Sequence, residues 1–218
     1  MNLIFNVVLI LHIVGGSIGL ITGMLNLIRP KGGKNHRFIG KLFFVAMLTA
    51  GISSLVLACL HPNYFLFMVG VFTTYMVISG QLYQKFKPQN KRDSLFTEWT
   101  ITLIMFLFAL VFIGIGIYSL INSNLFGLVF ITFGSLGLLF VTQDYKNYKG
   151  LSKSKNFWLM AHLQRMTGGL IAALTAFLVV NANYFPSQIP SFVYWLLPTI
   201  LLTPLIIKWS RNYEVKKI

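Results

Sequence analysis

The chain has 218 residues, 56% of them apolar and only four acidic, with a formal charge of +14. A soluble protein of this size needs many more charged residues on its surface, so composition excludes a soluble enzyme or a separate soluble domain. The Lys and Arg excess is confined almost wholly to the connections between apolar runs, which makes it a topology signal and excludes nucleic acid as a partner.

Runs of about 20 apolar residues recur along the chain, each long enough to cross a ~30 Å hydrocarbon core as a helix. The expected fold is all-α: one integral membrane domain over residues 1–218, a bundle of seven transmembrane helices. The runs are Leu3–Ile28, Ile39–Leu60, Tyr64–Tyr83, Thr97–Ile121, Leu125–Val141, Phe157–Val180 and Phe192–Lys208. Met1-Asn2-Leu3 has no basic n-region and no small-residue cleavage site follows, so the first run is expected to stay as a helix. Cys59 is the single cysteine; it can make no internal disulfide and matches no metal-ligand spacing.

The first run carries His12 about nine residues in, ~14 Å below one face by helical rise. Gly16, Gly19 and Gly23 follow on its face, and Gly15 lies beside it. Such a stripe seats either another helix or something flat, such as a macrocycle. An ionisable group at that depth is costly and is usually retained for function. A basic loop follows, Arg29-Pro30-Lys31-Gly32-Gly33-Lys34-Asn35-His36-Arg37, and the second run opens with Gly40 and Lys41. His36 reads either as a solvated loop histidine or as a ligand at the mouth of a site. His61, before Pro62, reads as a turn residue. Thr73, Thr74, Ser79, Gln81, Thr132 and Ser135 read as polar glue between helices.

The sixth run carries the other cluster, Ala161-His162-Leu163-Gln164-Arg165-Met166-Thr167-Gly168-Gly169. His162, Met166 and Gly169 share a face. Arg165 lies ~12 Å into its run, too deep to stand unpaired. Its expected partners are Asp144 and Glu98, in a structural ion pair, unless it holds a substrate anion. Pro198 and Pro204 are expected to break the seventh run.

Three connections and the tail carry nearly all the cations: the basic loop, then Lys85, Lys87, Lys91 and Arg92, then Lys146, Lys149, Lys153 and Lys155, then Lys208, Arg211, Lys216 and Lys217. The turns His61-Pro62-Asn63 and Asn122-Ser123-Asn124, and the stretch from Asn181 to Pro190, carry none. By the positive-inside rule the N-terminus is expected outside and the C-terminus in the cytoplasm, with anionic headgroups on the cytoplasmic side as partners. Tyr64, Phe65, Tyr184, Phe185, Tyr194 and Trp195 mark the outer boundary; Trp99, Tyr145, Tyr148 and Trp158 mark the inner one.

A histidine in the first run, the segment His36-Arg37-x-x-Gly40, and His162-x-x-x-Met166 followed by small residues resemble a bacterial family of predicted membrane proteins, of the domain of unknown function 2306 type. The resemblance implies a multi-pass protein of the bacterial cytoplasmic (inner) membrane and draws attention to His12, His36 and His162. It implies no activity.

Three functions remain open. The first is a b-type haem protein for electron transfer, with ligands drawn from His12, His36, His162 and Met166 and a basic rim for propionates. Axial ligands must meet at one level, which leaves His36–His162 or His12–His162 as pairs. The second is a non-catalytic membrane factor or small-molecule carrier. The third is a membrane metal-dependent hydrolase, with a metal on His12, His162 and an acid. The expected site lies between the first, second and sixth runs.

Overall fold

The computed structural model describes residues 3–87, 94–186 and 191–215. Among them run seven helices, each long and apolar enough to cross a membrane. They are α1 (Leu3–Ile28), α2 (Lys34–Leu60), α3 (Tyr64–Leu82), α4 (Phe96–Ile121), α5 (Gly127–Tyr148), α6 (Phe157–Val180) and α7 (Ser191–Tyr213). Short 3-10 turns, Tyr83–Phe86 and Ala182–Tyr184, extend α3 and α6. Of the cations assigned to topology, Lys91, Arg92, Lys216 and Lys217 lie outside the described residues.

Helix α3 is the hub, touching α2, α4, α5 and α6. Its sequence is apolar all round, as a helix enclosed by others must be. Helix α1 lies mainly on α2 and more lightly on α6; α4 and α5 form a hairpin against α3, and α7 rests on α6. One core joins Met68, Phe72 and Met76 of α3 to Met105 and Phe112 of α4 and Phe130 of α5. A second joins Phe43 and Met47 of α2, Val77 of α3, Leu170 of α6 and Leu202 of α7. The outer shells of α1, α4 and α7 leave many apolar side chains exposed, which suits lipid contact.

The ends follow local chemistry. Asn63 caps α3 by accepting from the Leu66 amide at 2.9 Å. Gly150, at φ +74°, closes α5, with the Leu151 amide reaching back to the Lys146 carbonyl at 2.8 Å. Three expectations are corrected. Helix α2 starts at Lys34, so His36 sits in its first turn. Helix α5 continues to Tyr148, because Asp144 and Asn147 extend its buried face from Gly134 and Gly137 instead of ending it in water. Helix α7 runs through Pro198 and Pro204 without a break. A helix in a bundle tolerates the lost amide bond where lipid offers the backbone no competing partner.

Aromatic residues gather at both ends. Phe65, Phe126 and Trp195 stack edge to face at one end, and Trp99, Tyr145 and Tyr148 at the other. The second end also carries the α1–α2 loop and the α5–α6 loop and is called the basic end below. There the C-terminal segment pairs with the α5–α6 loop: the Lys155 amide donates to the Val215 carbonyl at 2.7 Å, and the Val215 amide to Asn156 Oδ1 at 3.0 Å.

Candidate functional site

Arg165 and Asp144 meet in an interior ion pair at 2.7 Å, both fully buried. Of the two carboxylates expected for Arg165, Asp144 is therefore the partner. Glu98, also fully buried, instead lies 3.1 Å from Lys85 Nζ, whose side chain is half exposed. Asp144 collects three hydroxyl donors besides the guanidinium: Tyr75 at 2.6 Å, Tyr83 at 2.6 Å and Thr102 at 3.1 Å. Arg165 also donates to Gln143 Oε1 at 3.1 Å and to the Phe140 carbonyl at 3.0 Å. Its guanidinium lies 4.0 Å from the Phe140 ring centroid. Gln143 passes the network on to Gln164 at 2.8 Å, and Asn147 donates to Tyr83 at 3.0 Å. The cluster ties α3, α4, α5 and α6 together, and Arg165 Nε is its one buried nitrogen with no acceptor.

Spacing alone did not reveal Tyr75, Tyr83, Thr102, Gln143, Gln164 or Asn147. A signal existed for the tyrosines, since a phenol inside an apolar run needs a hydrogen-bond partner. The expected glue residues contribute less than supposed. Ser79 and Thr132 bond carbonyls of their own helices, and the Thr73 and Thr74 hydroxyls are buried without partners.

The histidines separate. His12 is half-buried and its Nδ1 lies 3.0 Å from the Ala50 carbonyl and 3.3 Å from the Ser53 hydroxyl, both on α2. His162 is also half-buried, and its Nδ1 donates at 2.7 Å to the Gly80 carbonyl near the end of α3. Gly80 permits this, because a Cβ there would come within 2.9 Å of Arg165 Cβ and hold α6 away. His12 thus sits at the level of Ala50 and Thr74, and His162 at that of Gly80, about 9 Å apart by helical rise along α3. His36 lies at the basic end, in the first turn of α2. His36 Nδ1 is buried with no partner. His61 packs edge-on against Phe5, with centroids 4.5 Å apart, at the opposite end. His36 lines a cleft at the basic end and His162 is held against α3, while His12 is held against α2 and His61 lies at the opposite end. Met166 follows His162 by one turn and joins the core with Met47 and Leu170.

The glycine stripe of α1 is occupied by protein. A Cβ at Gly15 would meet the Ala46 carbonyl at 2.9 Å, one at Gly19 the Met47 sulfur at 2.5 Å, and one at Gly23 the Leu170 side chain at 2.7 Å. A Cβ at Gly169 would meet Val77 at 3.2 Å. These glycines seat helices, and the volume expected for a planar group between α1, α2 and α6 holds Met47, Phe43 and Leu170 instead. Gly16 faces open space, and Gly40 has only the Asn26 amide within 4 Å. Among the described residues no three His, Cys, Asp or Glu side chains come together as a metal-binding group. A cleft of about 240 Å³ opens at the basic end, lined by Arg29, Pro30, Gly33, Lys34, Asn35 and His36.

Residues 9–93 match a family described as predicted membrane protein (DUF2306). This stretch runs from within α1 to beyond α3 and holds both His12 and His36. No curated protein and no solved structure matches the chain.

Proposed function

We propose that this multi-pass membrane protein binds a b-type haem for electron transfer, with His36 and His162 as the residues that would hold it. The observation that carries the reading is the His162–Gly80 bond of 2.7 Å. A carbonyl that takes the Nδ1 proton fixes the tautomer, turns the ring, and leaves Nε2 as the basic nitrogen, the second-shell device found behind metal-binding histidines. Among the described residues the His162 bond runs through Nδ1, and His36, at the basic end, keeps a buried ring nitrogen unpartnered. Arg29, Lys34 and Arg37 at the basic end supply charge suited to carboxylates. Haem, when bound, supplies the one-electron couple; the protein residues hold it, orient it and keep water from it. The donor set fits, whereas the filled glycine seats do not admit a macrocycle deep between α1, α2 and α6. The 240 Å³ cleft is smaller than the ~300–1,000 Å³ of ordinary cofactor sites. Binding therefore requires the α1–α2 loop to swing outward.

Protein purified from haem-replete cells is expected to show a Soret band, with sharpened α and β bands on dithionite reduction. His162→Ala and His36→Ala should each lose it, and His12→Ala should keep it. A wild type that is colourless after haem supplementation ends this reading.

A non-catalytic membrane factor is the second reading. Its support is saturation: the glycine seats are filled, and the Asp144 carboxylate already takes every donor around it. A colourless wild type whose His36→Ala/His162→Ala form inserts and melts normally favours it.

We read the membrane as the bacterial inner membrane, with the N-terminus outside and the C-terminus cytoplasmic. The support is the cation distribution, since the α2–α3, α4–α5 and α6–α7 connections hold no Lys or Arg. A reporter fused after Ile218 should be active in the cytoplasm and protected from protease added outside intact spheroplasts. Its cleavage from outside overturns this orientation.

A further inference from the structure

The first acidic residue of the chain is Asp93, so α1, α2 and α3 contain no carboxylate. The α1–α2 hairpin nevertheless carries Arg29, Lys31, Lys34, Arg37 and Lys41. Neither ion pair among the described residues reaches it, since Glu98 is held by Lys85 and Asp144 by Arg165. Other cations of this end have partners of their own. Lys87 lies 5.5 Å from the Trp158 ring centroid, and Lys149 lies 5.9 Å from that of Trp99.

Within the hairpin the cations divide into two groups. Lys31 is structural: its ammonium donates to the Asn26 and Leu27 carbonyls that end α1, and stands 4.4 Å from the Trp209 ring centroid of α7. Burial lowers the Lys31 ammonium below its ordinary range, and no carboxylate pairs with it there. Arg37 Nε donates to the Gly32 carbonyl at 3.0 Å and fixes the loop. The Arg29 and Lys34 side chains have neither ion-pair nor hydrogen-bond partners among the described residues, and both residues line the 240 Å³ cleft. His36, whose Nδ1 is buried and unpartnered among the described residues, lines the same cleft. Two unpaired cations converging with a buried, unpartnered ring nitrogen define an anion site more specific than a basic rim.

We propose that this cleft holds the phosphate group of an anionic phospholipid. Arg29 and Lys34 bind its oxygens, and the Asn35 amide and His36 close the cleft around it. The place favours lipid as the source: the cleft lies where two spanning helices end, and the apolar side chains beside it, Ile28 and Phe38, are 80% and 65% exposed. Those side chains suit acyl chains leaving a bound headgroup. Inorganic phosphate shares the oxygen chemistry but offers them nothing. The proposal stands on the cation balance of the hairpin; it makes a phospholipid the alternative occupant of residues that the haem reading also uses, and its test is separate because no step of it uses colour or a metal.

The test uses the full chain in a neutral detergent. Its melting temperature is followed with added phosphatidylglycerol, phosphatidylcholine or inorganic phosphate, and bound lipid is counted by native mass spectrometry. Phosphatidylglycerol should raise the melting temperature and leave one retained lipid per chain; phosphatidylcholine and inorganic phosphate should give much smaller shifts. Arg29→Gln/Lys34→Gln should lose most of the shift and the retained lipid. Lys153→Gln/Lys155→Gln removes the same charge from the α5–α6 loop and should keep both. Equal losses in the two double variants, or no shift in the wild type, overturn the proposal. A shift from inorganic phosphate as large as that from phosphatidylglycerol overturns the lipid assignment.

Discussion

Arg165→Ala is expected to lower unfolding stability by roughly 3–5 kcal/mol, the largest effect of any single change here. The loss comes from what remains, more than from the contact removed. Asp144 keeps the Tyr75, Tyr83 and Thr102 hydroxyls but becomes a buried anion without a cation, in a site that water does not reach. Gln143 and the Phe140 carbonyl lose a donor as well. Asp144→Asn should act in the same direction, since it leaves the guanidinium uncompensated while roughly keeping shape. Removing both charges, in Arg165→Met/Asp144→Leu, should recover part of the loss. Recovery stays incomplete because the two tyrosine hydroxyls then lack an acceptor, at about 1–3 kcal/mol each. Titration into denaturing detergent measures all three, and the single changes Arg165→Met and Asp144→Leu close a double-mutant cycle with the double variant. Additive single changes would mean that the pair is not coupled.

The bundle was legible in the sequence because membrane helices announce themselves by length and apolarity, and backbone satisfaction leaves a chain in lipid few alternatives. The spans differ from the helices mainly where polar residues turn inward. A hydropathy boundary at Val141 ends the fifth run three residues before Asp144, yet the helix continues because that carboxylate has Arg165 and three hydroxyls to meet. The pairing of Arg165 was readable, since few acids were within reach. The choice of Asp144 over Glu98 was not, because it depends on how α5 is turned against α3 and α6. The site was legible only in part. Helical rise along one helix cannot reveal which neighbour takes a ring proton. Ala50 holds His12 and Gly80 holds His162, and that difference parts two histidines that looked like one set.

The glycines beside His12 give the second large effect, and the order among them decides what the stripe is for. A Cβ at Gly15 meets backbone, the Ala46 carbonyl at 2.9 Å and the Ala50 amide nitrogen at 3.2 Å, so α1 and α2 must part to admit it. Gly15→Ala is expected to cost about 1–3 kcal/mol and to stretch the His12–Ala50 bond with the same displacement. Gly19→Ala should cost less, because its nearest atom is the flexible Met47 sulfur, which can turn away. Gly16→Ala meets nothing within 4 Å, and removing a helical glycine should leave stability unchanged or raise it by about 0.5–1 kcal/mol. A bed for a macrocycle predicts a different order: the open position, Gly16, would be the sensitive one, and its substitution would expel a cofactor without melting the helices. Melting temperatures of the three variants in one detergent, read beside their absorption spectra, separate the two. The order Gly15, Gly19, Gly16 with unchanged spectra assigns the stripe to helix packing, and a Gly16→Ala form that melts normally but loses colour would return it to the cofactor.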